Sequence, residues 1–222
     1  LGQLQDARNA EQINNAERAF DLLATNVDDV AKRGAPSRAT EMRLDEASVA
    51  VAGPVTFEFR AINDAHPSYN FTESYDVWPI RYRSDDSPTE ILYVNGAVIR
   101  SQRDGAFVLE EPAIHASNEK LVVPLIQTRS RSAQSSGGGT VRIRAIHAKT
   151  DLIASNTSGR YDTVFVNVTS PRAAVWQEIL DSKDAFSCTL DTAGSTDRVW
   201  CEATDPSRIH LPQIQIDVDL AG

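Results

Sequence analysis

At Gly34 the apolar period of the chain switches from helical to extended, and little else restricts the fold as tightly. Before it, Ile13, Ala16, Phe20, Leu23, Val27 and Val30 recur at spacings of three and four, one apolar stripe on a helix. Lys32 and Arg33 stand where the helix dipole favours cations, Asp28 and Asp29 lie four residues before them, and Gly34 with Pro36 ends the run. After it, period two takes over. "ATEMRLDEASVAV" and "VTFEFRAI" alternate, and "DVWPIRYR" alternates around a proline, the mark of an edge strand. "EILYVNGAVIRS" carries Asn95-Gly96 between two apolar runs, a strong hairpin signal. "KLVVPLIQTRS" and "GTVRIRAIHAK" read as a second hairpin whose flexible tip is "RSAQSSGGG". "DTVFVNVTS", "AFSCTLD", "DRVWCEA" and "LPQIQIDVDL" bring the total to about ten strands. In the last of these Ile214, Ile216, Val218 and Leu220 share one face while Gln213, Gln215, Asp217 and Asp219 share the other.

One further helix interrupts the strands. "SPRAAVWQEILDSKDAF" offers Ser170 as cap and Pro171 at the first helical position, with Ala174, Val175, Ile179 and Leu180 on one side, and is expected to lie as a lid over an open end of the sheet. The expected class is therefore α+β: a long N-terminal helix, then an antiparallel β-rich, sandwich-like domain with one additional short helix. Two parts follow, a helix over 1–34 and a β-rich head over 35–222.

The helix itself is uneven. Between Gln5 and Asn15 eight of eleven residues are polar or charged, and no Ser, Thr, Asp or Asn cap precedes Leu1. A helix running from there to Gly34 would be about 50 Å long with only its second half able to pack. The expectation is a helix entering from upstream, in which 1–15 project as a stem and 16–34 dock.

Charge excludes one class of partner. With 22 Lys+Arg against 31 Asp+Glu and a net charge of −9, the chain lacks the concentrated basic surface that nucleic acid requires. Only four basic residues are lysine (Lys32, Lys120, Lys149, Lys183) and 19 of the acids are aspartate, which fits either a high-GC genome or a salt-adapted surface. No run of 18 apolar residues is present.

Cys188 and Cys201 each lie in a short strand-like run, with the turn-rich "DTAGSTD" between them. A disulfide across a hairpin, contributing roughly 3 kcal/mol in an oxidising compartment, is the expectation; two buried free thiols are the other reading. Three Asn-x-Ser/Thr sequons, at Asn70, Asn156 and Asn167, are glycosylation candidates and lean the same way. Alternation in "YDTVFVNVTS" puts Asn167 on the face opposite Val164, Val166 and Val168, where it could meet solvent beside Phe165.

Nothing in the sequence has catalytic spacing. His66, His115, His147 and His210 stand singly, no GxSxG occurs, and "SSGGGT" lacks the lysine and helix of a phosphate loop. Neither a catalytic residue, a cofactor nor a metal is expected, and the acidic pairs Asp28-Asp29, Asp85-Asp86 and Glu110-Glu111, with Asp217 and Asp219 on one strand face, read as solvated surface rather than calcium ligands. Arg129, Arg131, Arg142 and Arg144 alternate on two neighbouring strands and make a possible contact patch, with cross-strand pairing to carboxylates as the plainer alternative. The tryptophans Trp78, Trp176 and Trp200, with Tyr69, Tyr75, Tyr82 and Tyr93, are either core or a sugar-binding face.

Three stretches carry a resemblance. "DARNAEQINNAERAFDLLATNVDDVAKRGAPSRATEMRL", "GGGTVRIRAIHAKTDLI" and "VNVTSPRAAVWQEIL" resemble a family of type IV pilin-like surface proteins of halophilic archaea. The resemblance implies a hydrophobic N-terminal segment ahead of Leu1, export, and display at the cell surface or in a filament. Partners would then be other pilin-like subunits, met through the N-terminal helix, and the membrane. The expected function is structural and not enzymatic. A membrane-anchored carbohydrate- or ligand-binding β-sandwich is the alternative, and a secreted hydrolase a more distant one.

Overall fold

A computed structural model of the protein describes residues 2–103, 105–130 and 135–222. Helix α1 (Gly2–Lys32) is followed by β1 (Ser37–Val51), β2 (Val55–Ile62), β3 (Phe71–Val77), β4 (Ile80–Ser84), β5 (Glu90–Val94), β6 (Ala97–Gln102) and β7 (Gly105–Glu110). Then come β8 (His115–Ala116), β9 (Leu121–Val122), β10 (Leu125–Arg129), β11 (Ser135–Asn156) and β12 (Thr163–Thr169). Helix α2 (Ala173–Asp181) precedes β13 (Ser187–Asp191), β14 (Arg198–Thr204) and β15 (Ile209–Ala221).

The expected α+β class does not hold. Strand accounts for 54% of the structure and helix for 19%, so the fold is mainly β, two large sheets with two helices packed on them. The sequence reading undercounted strand because it broke long strands at their polar or glycine-rich stretches. "SSGGG" is not a loop tip: it is the start of β11, a strand of 22 residues that pairs with β1 through Gly137 and Gly139. Gly138 and Gly139 take φ of +75° and +73°, and β1 answers with extra residues between Leu44 and Ser48, so the glycines form an irregularity inside a strand.

The larger sheet has the order β7-β6-β5-β4-β1-β11-β15-β9-β8, with β10 pairing β15 in parallel; the smaller is β13-β14-β12-β2-β3. The chain passes from the large sheet to the small one after Val51 and returns after Val77. Each crossing contains a proline, Pro54 and Pro79, whose missing N–H would leave a gap in a ladder, and the two are stitched by Ala52 N–H donating to the Pro79 carbonyl at 2.8 Å. "DVWPIRYR" is thus not one edge strand. Its first half ends β3, an edge of the small sheet, and its second is β4, held between β5 and β1 inside the large one.

The expected hairpin of β10 with β11 is also absent. β15 lies between them, parallel to β10 and antiparallel to β11. Asn95-Gly96, by contrast, forms a two-residue turn between β5 and β6 with φ of +47° and +81°, and the Asn95 Oδ1 accepts from Ile126 N–H at 2.7 Å.

Two apolar cores lie on opposite faces of the large sheet. Phe20, Leu23, Val27 and Val30 of α1 pack on Leu44, Val49, Ile91, Tyr93, Val98, Ile143 and Ile216. Phe57, Phe59, Val164, Val166 and Val199 of the small sheet, with Trp176 of α2, pack on Val94, Ala97, Ile99, Leu125 and Leu211. Each fully buried aliphatic or aromatic side chain contributes roughly 1.5–3 kcal/mol. Strands β5 and β6 are buried on both faces, which is why "EILYVNGAVI" reads as continuous apolar sequence. β15 meets the two cores in succession: Ile209 and Leu211 face the small sheet, then Ile214, Ile216 and Val218 face α1.

α2 starts at Ala173, two residues later than expected, with Ser170 Oγ accepting from Arg172 N–H at 3.0 Å in the turn before it. It is a core element more than a lid. Trp176 is fully buried and meets Phe57 edge to face at 5.0 Å between centroids.

Candidate functional site

The docked part of α1 is fixed by polar contacts at both ends as well as by its stripe. Glu17 pairs with Arg100 of β6 at 2.5 Å, and Asn26 donates to the Ala39 carbonyl at 3.2 Å and to Thr40 Oγ1 at 2.9 Å. Near its end Lys32–Asp28 and Arg33–Asp29 form i,i+4 pairs at 2.7 and 2.8 Å. From Asp6 onward Ile13 is the first buried residue of the helix; ahead of it Leu4 is 68% exposed and Asp6, Ala7, Arg8, Ala10 and Glu11 are exposed. Residues 6–14 do not stand clear of the head altogether. Asp6, Asn9 and Ile13 form one wall of an open groove of about 570 Å³ whose other wall is Pro88, Arg100 and Arg103.

The arginine patch is interleaved with acids. Arg129 donates to Asp217 Oδ1 at 2.9 Å, and Arg144 stands opposite Asp219 in the β11–β15 register. Arg142 and Arg144 are exposed on the face of the large sheet turned away from α1, and neither makes an ion pair among the described residues. Arg131 lies outside the described residues. Carboxylates from β15, the strand that separates β10 from β11, account for the pairing that does occur.

The sequons differ in accessibility. Asn70 is exposed after a short turn over Pro67–Tyr69. Asn156 is 9% exposed, and its Oδ1 accepts from the N–H groups of Ser158 and Arg160 at 2.8 and 3.2 Å, tying down the loop before β12. Asn167 does not meet solvent as the alternation suggested: it is 1% exposed, and its Nδ2, the atom that would carry a glycan, donates to Glu58 Oε1 at 2.9 Å. Long neighbours cover that outer face. Arg60 lies over Phe165 at 5.5 Å and Arg198 over Trp200 at 4.4 Å.

Cys188 and Cys201 stand directly opposite in the β13–β14 register and form a disulfide, S–S 2.03 Å. The bond clamps the edge strand β13 to its neighbour and points to an oxidising compartment. Among the described residues no helix is long and apolar enough to cross a membrane, and no group of three or more His, Cys, Asp or Glu side chains is placed to hold a metal ion. The aromatics do not share a face. Trp176, Tyr82 and Tyr93 are buried, Trp200 lies on the outer face of the small sheet, and Tyr69 stacks with Arg160 at 4.9 Å.

One charged cluster was not picked out from the sequence. Glu90 of β5 is held by Arg83 of β4, whose Nε and Nη2 reach Oε1 at 2.9 and 2.6 Å, and by Arg172, which leads into α2 and donates to Oε2. Burial alone would push the Glu90 carboxyl up, but hydrogen bonds and positive charge from Arg83, Arg172 and Arg81 outweigh it and hold the group below the usual carboxylate range. Its only sequence signal is the alternation of Arg81 and Arg83 in "IRYRS"; Arg172 arrives from 82 residues beyond Glu90.

A family model matches residues 1–219. The chain belongs to DUF7289, a family of unknown function. The match spans α1 and both sheets, so the helix and the β-rich body are one family unit. No curated protein and no solved structure matches the chain.

Proposed function

We propose that this DUF7289 chain is a pilin-like structural protein of the cell surface, tethered or polymerised through a hydrophobic helical segment continuous with the N-terminal end of α1. The supporting observation is the asymmetry of α1: its apolar stripe is seated on the large sheet from Ala16 onward, while the preceding turns present Leu4, Asp6, Arg8 and Glu11 outward. A helix anchored at one end to a β-rich head and exposed at the other is suited to spacing that head from a membrane or packing against other subunits. The disulfide and the exposed sequon at Asn70 fit export, and the resemblance of residues 5–44 and 137–180 to pilin-like proteins of halophilic archaea gives the reading its class.

The experiment is electron microscopy of cells and of sheared material from a strain expressing the native full-length gene, labelled with antibody to this head. Labelled filaments or labelled envelope support the reading, the first as a pilus subunit and the second as a tethered protein. Label confined to the cytoplasm overturns it.

A further inference from the structure

A second cavity lies where the chain crosses between the sheets. It has a volume of about 320 Å³ and opens between the two crossovers, at Gly53-Pro54 and Pro79, and the turn Ser170-Pro171 that leads into α2. Its floor is apolar, made by Leu92, Ile99 and Trp176, all of them buried. Two cations line it, Arg81 from β4 and Arg172.

The charges there do not balance. Three guanidinium groups, those of Arg81, Arg83 and Arg172, surround the single carboxylate of Glu90, in a protein whose net charge is −9. Glu90 spends one oxygen on Arg83 and the other on Arg172. Arg81 makes no ion pair among the described residues, and Arg172 Nε is enclosed without a hydrogen-bond partner. An anion in the cleft would meet positive charge that Glu90 alone does not balance, and charge-assisted hydrogen bonds to guanidinium groups are the strong ones. Apolar surface beside unmatched donors is the make-up of a small-molecule site, and the volume sits at the lower end of the range of about 300–1,000 Å³ usual for such sites.

We propose that this cleft binds a small organic anion with an apolar body: its carboxylate is taken by Arg81 and Arg172, and its ring or alkyl chain lies on Leu92, Ile99 and Trp176. The inference stands apart from how the protein is displayed. Inorganic anions and neutral apolar molecules each satisfy only half of the site, so selectivity for the amphiphile over both is its signature.

Titration of the intact, disulfide-bonded chain with phenylacetate, 3-phenylpropionate and octanoate, followed by the assigned Trp176 indole N–H resonance and by calorimetry, tests it. At least one of the three saturates below about 10 mM, and acetate and phenylacetamide bind at least tenfold more weakly. Arg81→Gln lowers the affinity at least tenfold while moving the urea midpoint only slightly, since Arg81 acts on Glu90 through space and holds no ion pair among the described residues. Absence of saturable binding by all three acids, equal binding of phenylacetamide, or unchanged affinity in Arg81→Gln each overturns the proposal.

Discussion

The two faces of the large sheet are covered in different ways. On one, α1 lays a single stripe across β1, β5, β6, β11 and β15, and its main tertiary contacts are all with that sheet. On the other, the small sheet and α2 interlock, with Trp176 reaching Phe57 and the disulfide holding β13 to β14. A layer attached by one stripe can open while the sheets stay folded; a layer threaded through two crossovers and a cross-link cannot. Local stability should therefore fall toward α1 and rise toward the core between the sheets.

Truncating the largest fully buried side chain of each covering layer tests this most severely. Trp176→Ala should cost about 3–5 kcal/mol, and the loss should appear in the urea midpoint and in amide protection throughout β2, β12 and β14. Phe20→Ala removes a comparable buried ring from beneath α1. Its loss should appear first as faster exchange over residues 16–32, with β12 and β14 much less affected. Equal loss of protection in both sheets for the two variants would mean that the layers unfold as one unit.

Next in size is the cross-link. The bridge joins residues 13 apart in sequence, so Cys188→Ser with Cys201→Ser should destabilise by about 3 kcal/mol on the chain-entropy estimate, read from urea unfolding with m equal to or above that of the parent, because the freed denatured chain is less compact. Because β13 is an edge strand, its amides should lose the most protection.

Smaller still is the acid response of the Glu90 cluster, which ties α2 to the large sheet. A carboxyl held below its usual range in the folded state stabilises the fold at neutral pH, and that contribution fades as pH drops below about 4.5, the ordinary value. Glu90→Gln should lose about 1–3 kcal/mol at pH 7 and show a shallower fall in stability between pH 5 and pH 3 than the parent, measured by urea unfolding at each pH. An unchanged acid slope would remove Glu90 from the account.

The contrast between the faces was partly legible in the sequence. The stripe from Ile13 to Val30 and its stop at Gly34 mark α1, because a helix face repeats within seven residues and its end signals are local. Asn95-Gly96 and the Cys188–Cys201 pair were legible for the same reason, since turn chemistry and a short loop decide them. What escaped depends on partners distant in sequence. Nothing near Arg129 says that β15, some 80 residues later, will lie between β10 and β11. Nothing near Gly137 says that β1 will draw three glycines into a strand. Asn167 looked solvent-facing because alternation assigns a face but not what covers it, and Glu58 with the neighbouring arginines and aromatics covers this one. The cleft between the crossovers was invisible for a similar reason, as its two arginines meet only once the sheets are stacked.

The smallest expected effect concerns the outer side of α1. Leu4 and Leu22 are 18 residues apart, five turns of an α-helix, and so lie on one line along it; they are 68% and 50% exposed. If that side meets only water in the isolated chain, Leu22→Ser should change stability by no more than about 0.5 kcal/mol, and the midpoint should not depend on protein concentration. A loss above about 1 kcal/mol that grows with concentration would mean that α1 is covered on its outer side by another copy. The layer described as the weaker of the two would then be strengthened by assembly, as mass action requires of any contact made only by the folded state.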